Sequence, residues 1–190
     1  MKLKKRDAGT IFNPVMHLMI LILTVQLLLL FVEYRRVAWV SNAVTDTMTD
    51  ALLGAATLNE EELYHYGTVD ELEILYPKEK YDLFKDILCE ELRLTADMRV
   101  TDQSFDLLSG IVEISDFGVY SVCENDITYF DFDSSGSYST TVLEDKVGVY
   151  DPGNGKRIEN TSFVAEITFT VEFFGVPVEV NKYHMVDVTK

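Results

Sequence analysis

The chain has 190 residues, which leaves room for one domain of about 150 residues beyond an apolar block near the N-terminus. Its net charge of −16 is unevenly placed: up to Arg36 there are six basic and two acidic residues, and beyond it ten basic and thirty acidic ones. A surface that acidic repels phosphates, which excludes nucleic acid as a partner, and it also disfavours lying flat on an anionic membrane.

Residues 1–9 form a basic leader, with Lys2, Lys4, Lys5 and Arg6. The run Val15–Val32 that follows, VMHLMILILTVQLLLLFV, is interrupted only by His17, Thr24 and Gln26. With Thr10–Pro14 added it exceeds the ~20 residues that a helix needs to cross a hydrocarbon core ~30 Å thick. A cleaved secretory signal has an apolar core of about 7–15 residues and then a small-x-small site. This run is longer and is closed by Glu33-Tyr34-Arg35-Arg36, so it reads as a retained anchor over 10–34. Four basic residues before the span against two after it favour an N-terminus on the cytoplasmic side, with the acidic remainder outside the cell membrane.

The pattern does not stop at the membrane border. Val37, Val40, Val44, Met48 and Leu52 recur at three- and four-residue spacing, with Trp39, Ala43, Ala51 and Ala55 beside them. That period predicts one continuous helix from about Pro14 to Ala56, its extension over 35–57 lying outside the membrane and Gly54 weakening its end. Tyr34 and Trp39 fall where interfacial aromatics are expected.

These residues carry a resemblance. The leader KKRDAG, ending at Gly9, resembles a prepilin leader, and LLFVEYRRVAWVSNAVTDTMTDALLGAA resembles the matching part of TadE-like proteins. Those are minor pseudopilins of the tight-adherence (Flp, type IVb) pilus assembly systems. In that family an acidic-aromatic pair, here Glu33-Tyr34, closes the membrane helix, and an amphipathic helix follows. The resemblance implies a pilin-like α+β fold, no enzymatic activity, and partners in the membrane: other pseudopilins or pilus platform proteins. It implies peptidase cleavage between Gly9 and Thr10, and helix packing through Thr24, Gln26, Glu33, Tyr34, Ala43, Ala51, Gly54 and Ala55. One position departs from the pattern: Pro14 stands fifth after the cut, where pilin precursors usually carry a glutamate. A membrane-tethered binding module, such as an adhesin or sensor ectodomain, is the alternative from a different class.

The outer domain, 58–190, reads as helices followed by an antiparallel sheet. Asn59 before Glu60-Glu61-Glu62 is a helix opening, since a capping side chain and an acidic first turn suit the dipole. Tyr64-His65-Tyr66-Gly67 ends that piece. Pro77 begins a stronger helix with Tyr81, Phe84, Ile87, Leu88 and Leu92 on one face. Cys89 beside that face and Cys123 either pair, closing a loop of roughly 35 residues for about 3 kcal/mol, or remain two buried thiols.

After Gly110 the pattern becomes alternating, in GIVEIS, FGVYSVC and ITYFDF. In AEITFTVEF, Ala165, Ile167, Phe169, Val171 and Phe173 alternate with Glu166, Thr168, Thr170 and Glu172, which predicts one buried and one wet face. A Gly-Val-Pro turn region and a second strand follow, and Asp151-Pro-Gly-Asn-Gly155 is a turn. DFDSSGSYSTTVLE opens like a calcium loop at Asp131, Asp133, Ser135 and Gly136. Its twelfth position is Val142 rather than glutamate, so it reads as a polar connector. Asn160-Thr161-Ser162 is a glycosylation sequon by pattern only. No catalytic motif is present, and His17, His65 and His184 are scattered, so neither catalytic residue, cofactor nor metal is expected.

Overall fold

The computed structural model describes residues 9–57, 74–153 and 155–188, with side chains from Pro14. The long helix, α1, runs Gly9–Ala55 without a break. At 1.5 Å per residue its 47 residues extend about 70 Å, more than twice the thickness of a hydrocarbon core. Pro14 is tolerated because it lies near the start, where N–H groups lack helical partners anyway. The second helix, α2, covers Pro77–Glu91, with proline in its first turn as expected. The helix expected from Asn59, and His65 with it, lie outside the described residues.

Five strands follow: β1 Leu108–Cys123, β2 Asp126–Phe132, β3 Tyr138–Leu143, β4 Ser162–Phe173 and β5 Val176–Asp187. They form one sheet in the order β3-β2-β1-β4-β5, with every neighbour antiparallel. The layout is α+β, as expected. Some details of the strands differ from expectation, and Val176 and Pro177 of the expected Gly-Val-Pro turn already belong to β5. GIVEIS and FGVYSVC form a single strand, β1, whose register shifts between Ser109 and Glu113 and again between Ile114 and Asp116. The serine-rich stretch also contains a strand, β3, because edge residues exposed on both faces show no alternation to read. Its turn uses the Asp133 carboxylate as an acceptor for the backbone N–H groups of Ser135 (2.9 Å) and Ser137 (3.0 Å). The Ser135 hydroxyl donates to the same oxygen at 2.6 Å, and this bond first, then the backbone bonds, favour the ionised form and hold the Asp133 carboxyl below its ordinary range.

One face of the sheet is covered by both helices. Val40, Val44, Met48, Ala51, Leu52 and Ala55 of α1 share a core with Phe84 and Leu88 of α2 and with Phe117, Phe163, Ile167 and Phe169 of the sheet. The aromatic part is tightly ordered: Tyr81 stacks on Phe132 at 5.2 Å, and Phe117 meets Phe132 edge-on at 5.4 Å. The β4 alternation holds up to Val171, whereas Phe173 is only half-buried at the strand end. Lys80, also buried, donates to the Thr57 carbonyl at 2.7 Å and so ties α2 to the end of α1.

The opposite face carries a smaller core of Tyr120, Ile127, Ile158, Val164 and Met185. The connection between β3 and β4 closes over it through Gly148 N–H to the Ile158 carbonyl (2.7 Å) and Ile158 N–H to the Val149 carbonyl (2.9 Å). Asp151 is buried and accepts two phenolic hydrogens, from Tyr120 at 2.9 Å and Tyr183 at 2.8 Å. Burial, then neighbouring phenols and carboxylates, raise the Tyr120 and Tyr129 phenols well above their ordinary value. For Tyr183 burial is again the first cause, followed by its bond to Asp151.

Cys89 and Cys123 are not joined to each other. Cys89 lies toward the α2 end that reaches Trp39 and Gln103, while Cys123 closes β1 beside Ser121, whose hydroxyl meets Ile74 near the opposite end of α2. From the level of Tyr81 and Phe117 the two diverge, by about 12 Å along the helix and roughly 20 Å along the strand, far beyond disulfide reach. The loop closure that spacing alone allows is therefore not made. Burial raises the Cys89 thiol above its ordinary value.

Candidate functional site

The feature that separates this chain from an ordinary α+β domain is the division of α1. Its N-terminal half includes an 18-residue window of mean hydropathy 2.6 with no residue buried, long and apolar enough to cross a membrane. Its C-terminal half is the spine of the folded domain. The boundary falls at Glu33, one residue past the apolar run.

Glu33 links the two halves. Its side chain is only 12% exposed and receives the backbone N–H of Phe174 at 3.2 Å, while Arg36 one turn on pairs with its other oxygen at 3.2 Å. Phe174 stands at the tip of the β4–β5 hairpin, so this bond brings the tip to the end of the apolar span. The turn has Phe174 at φ 51° and Gly175 at φ 72°, the left-handed pair of a two-residue hairpin. Glycine takes that backbone freely, but an aromatic residue does so at a cost of about 1–2 kcal/mol. Beside the helix on another side, Phe31, Val32, Arg35, Arg36, Trp39, Val40, Asp106 and Leu107 line a groove of about 540 Å³. Trp39 meets Phe105 edge-on at 5.6 Å, and both Trp39 and Tyr34 are exposed.

The residues that sequence assigns to helix packing have different environments. Within the span, the Thr24 hydroxyl donates to the Ile20 carbonyl at 2.8 Å and is satisfied inside its own helix. Gln26 is exposed and lines a shallow apolar depression with Met19, Ile20, Ile22 and Leu23. Beyond the border, Ala51 and Ala55 are fully buried in the chain's own core, Gly54 is covered by the Ile87 side chain and Ala43 is half-buried. Ala51, Gly54 and Ala55 therefore serve the chain's own α2 and sheet, whereas Ala43 keeps part of its surface open. The outward stripe is Trp39, Asn42, Asp46, Asp50 and Leu53, mostly polar or charged. At the other end, the helical backbone already includes Gly9 and Thr10.

Other groups do not converge. Asp116 pairs in register with Glu166, and burial, then Asp131 and Glu166, push its carboxyl up. Among the described residues no three His, Cys, Asp or Glu side chains are grouped to hold a metal ion. His17 is exposed in the apolar span, while His184 lies on β5 opposite Ala165, its pKa lowered by burial and by Lys156. The sequence missed the contribution of Phe174: a turn was expected, but not that its tip meets Glu33, 141 positions earlier.

No family model, curated protein or solved structure matches the chain.

Proposed function

We propose that the chain is a non-enzymatic, single-pass membrane component of a type IVb (tight-adherence) pilus assembly or secretion system, acting as a TadE-like pseudopilin. Its N-terminus faces the cytoplasm and its acidic domain projects outside. The observation that supports this reading is the division of one unbroken helix into an uncovered apolar half and a half buried as the spine of an α+β domain. In this reading the span is the assembly element. Gln26 is its exposed amide, and an amide in lipid gains from a hydrogen bond to a neighbouring helix. The test is the N-terminus of the protein isolated from its native membranes, mapped by intact mass and peptides. A chain beginning at Thr10 is the expected result. One beginning beyond residue 40 refutes a retained anchor altogether.

A membrane-tethered binding module is favoured by one observation: Ala51, Gly54 and Ala55 are used internally, which leaves only half-buried Ala43 of these small residues with open surface for assembly. Exchange of residues 14–32 for an unrelated apolar helix separates the two readings. That segment ends before Glu33, so the domain keeps its tie to the helix. A pseudopilin loses assembly on exchange, and a tethered module keeps its function.

A further inference from the structure

We propose that the β4–β5 hairpin tip is a second membrane contact, with Phe174 and Val176 immersed in the interfacial layer of the bilayer, so that the domain sits on the lipid surface. This rests on residues 14–32 crossing the membrane. The height of the tip follows from the Phe174 N–H to Glu33 hydrogen bond, because Glu33 directly follows the last residue of the apolar run. The polar layer outside the hydrocarbon is about 5–8 Å thick on each side, and two strand residues rise about 7 Å. Phe174 and Val176 therefore fall within that layer, with Val178 at its outer edge.

The chemistry of the tip fits that place. Residues 173–178 read Phe-Phe-Gly-Val-Pro-Val, six residues without a charge, in a region that carries thirty carboxylates beyond Arg36. Phe174, Val176 and Val178 are exposed, at 55%, 59% and 42%. Glu172 and Glu179 flank the stretch, and Arg35 and Arg36 stand beside Glu33 on the helix. The backbone gives independent support. The first position of a two-residue turn with both φ positive favours Asn, Asp or Gly, and this chain has a phenylalanine there, at φ 51°. Its ring gains no enclosure in exchange, only an edge-on neighbour, Phe173, at 5.0 Å. A strained and uncovered aromatic fixed at the level of the membrane border is matched by interfacial lipid, where aromatic side chains partition.

The test uses the full chain in phosphatidylcholine vesicles. Trp39 is the sole tryptophan, so a Trp39→Phe background makes Phe174→Trp the only reporter, with Tyr150→Trp as an exposed site on the β3–β4 connection and Leu27→Trp as the control within the span. Phosphatidylcholine brominated near the glycerol end of its chains quenches the Phe174→Trp emission and blue-shifted fluorescence accompanies it, whereas Tyr150→Trp is quenched by aqueous acrylamide alone. Val176→Trp repeats the measurement where the turn itself is untouched. Acrylamide quenching of both tip reporters with no effect of bromolipid, while Leu27→Trp is quenched by bromolipid, overturns the proposal and leaves the span standing. Loss of bromolipid quenching at Leu27→Trp as well removes the span. Tip reporters shielded from both quenchers, increasingly so at higher protein-to-lipid ratio, would mean that a second copy covers the tip, which also overturns the proposal.

Discussion

Replacing Asp151 with alanine tests whether the connection between β3 and β4 is held onto the sheet by one buried carboxylate. Asp151 is 1% exposed, and its two oxygens accept the Tyr120 and Tyr183 phenols at 2.9 and 2.8 Å. A hydrogen bond to a charged group contributes about 1.5–3 kcal/mol, and an orphaned buried donor adds a desolvation cost. Tyr120, buried, falls at the upper part of that range, while water can reach Tyr183 and takes its share to the lower end. The two together come to about 4 kcal/mol. For a domain of this size such a loss lowers Tm by roughly 8–16 °C. Thermal unfolding of the full chain, followed by tyrosine near-UV circular dichroism, measures it. Because Asp151→Ala and Tyr120→Phe delete the same bond, their effects in combination should fall well short of additive. A Tm loss of only a few degrees, or additive effects in the double variant, refutes the clamp.

High pH probes the same cluster. The Tyr120 phenol is held neutral by burial in the folded chain, whereas in the unfolded chain it ionises near its ordinary value of about 10. The unfolded state then gives up a proton that the folded state keeps, so stability is complete below about pH 10 and falls by about 1.4 kcal/mol per pH unit above it, with a smaller share from half-buried Tyr129 and Tyr183. Urea midpoints that stay flat between about pH 9 and about pH 11 would contradict this. A third perturbation is Gly118→Val. A Cβ at Gly118 would stand 2.6 Å from the Tyr129 ring, which is itself stacked on Tyr120 at 4.3 Å, so the ring must move. The expected cost is about 2 kcal/mol with loss of the tyrosine dichroism, and unchanged dichroism would show that Tyr129 is not confined.

The sequence by itself determined the long helix and its division. Eighteen residues without a charge, and then valine, methionine and leucine at helical spacing, leave α1 no other regular structure. The period of two in AEITFTVEF likewise announced β4, because each residue's exposure depends only on its parity. Local pattern carries such information whenever one face of an element is uniformly wet or dry. It carries none for β3, exposed on both faces, and none for which surface covers a stripe.

Only the tertiary structure decided that Ala51, Gly54 and Ala55 close against α2 and the sheet instead of a partner helix, since a small residue looks the same in sequence whichever surface approaches it. Cys89 and Cys123 were likewise compatible with pairing until the sheet and α2 carried them to opposite ends. The Glu33–Phe174 bond was beyond any local reading. It depends on the register of β4 with β5 and on the docking of the sheet along α1, both of which are long-range consequences of burying a shared core.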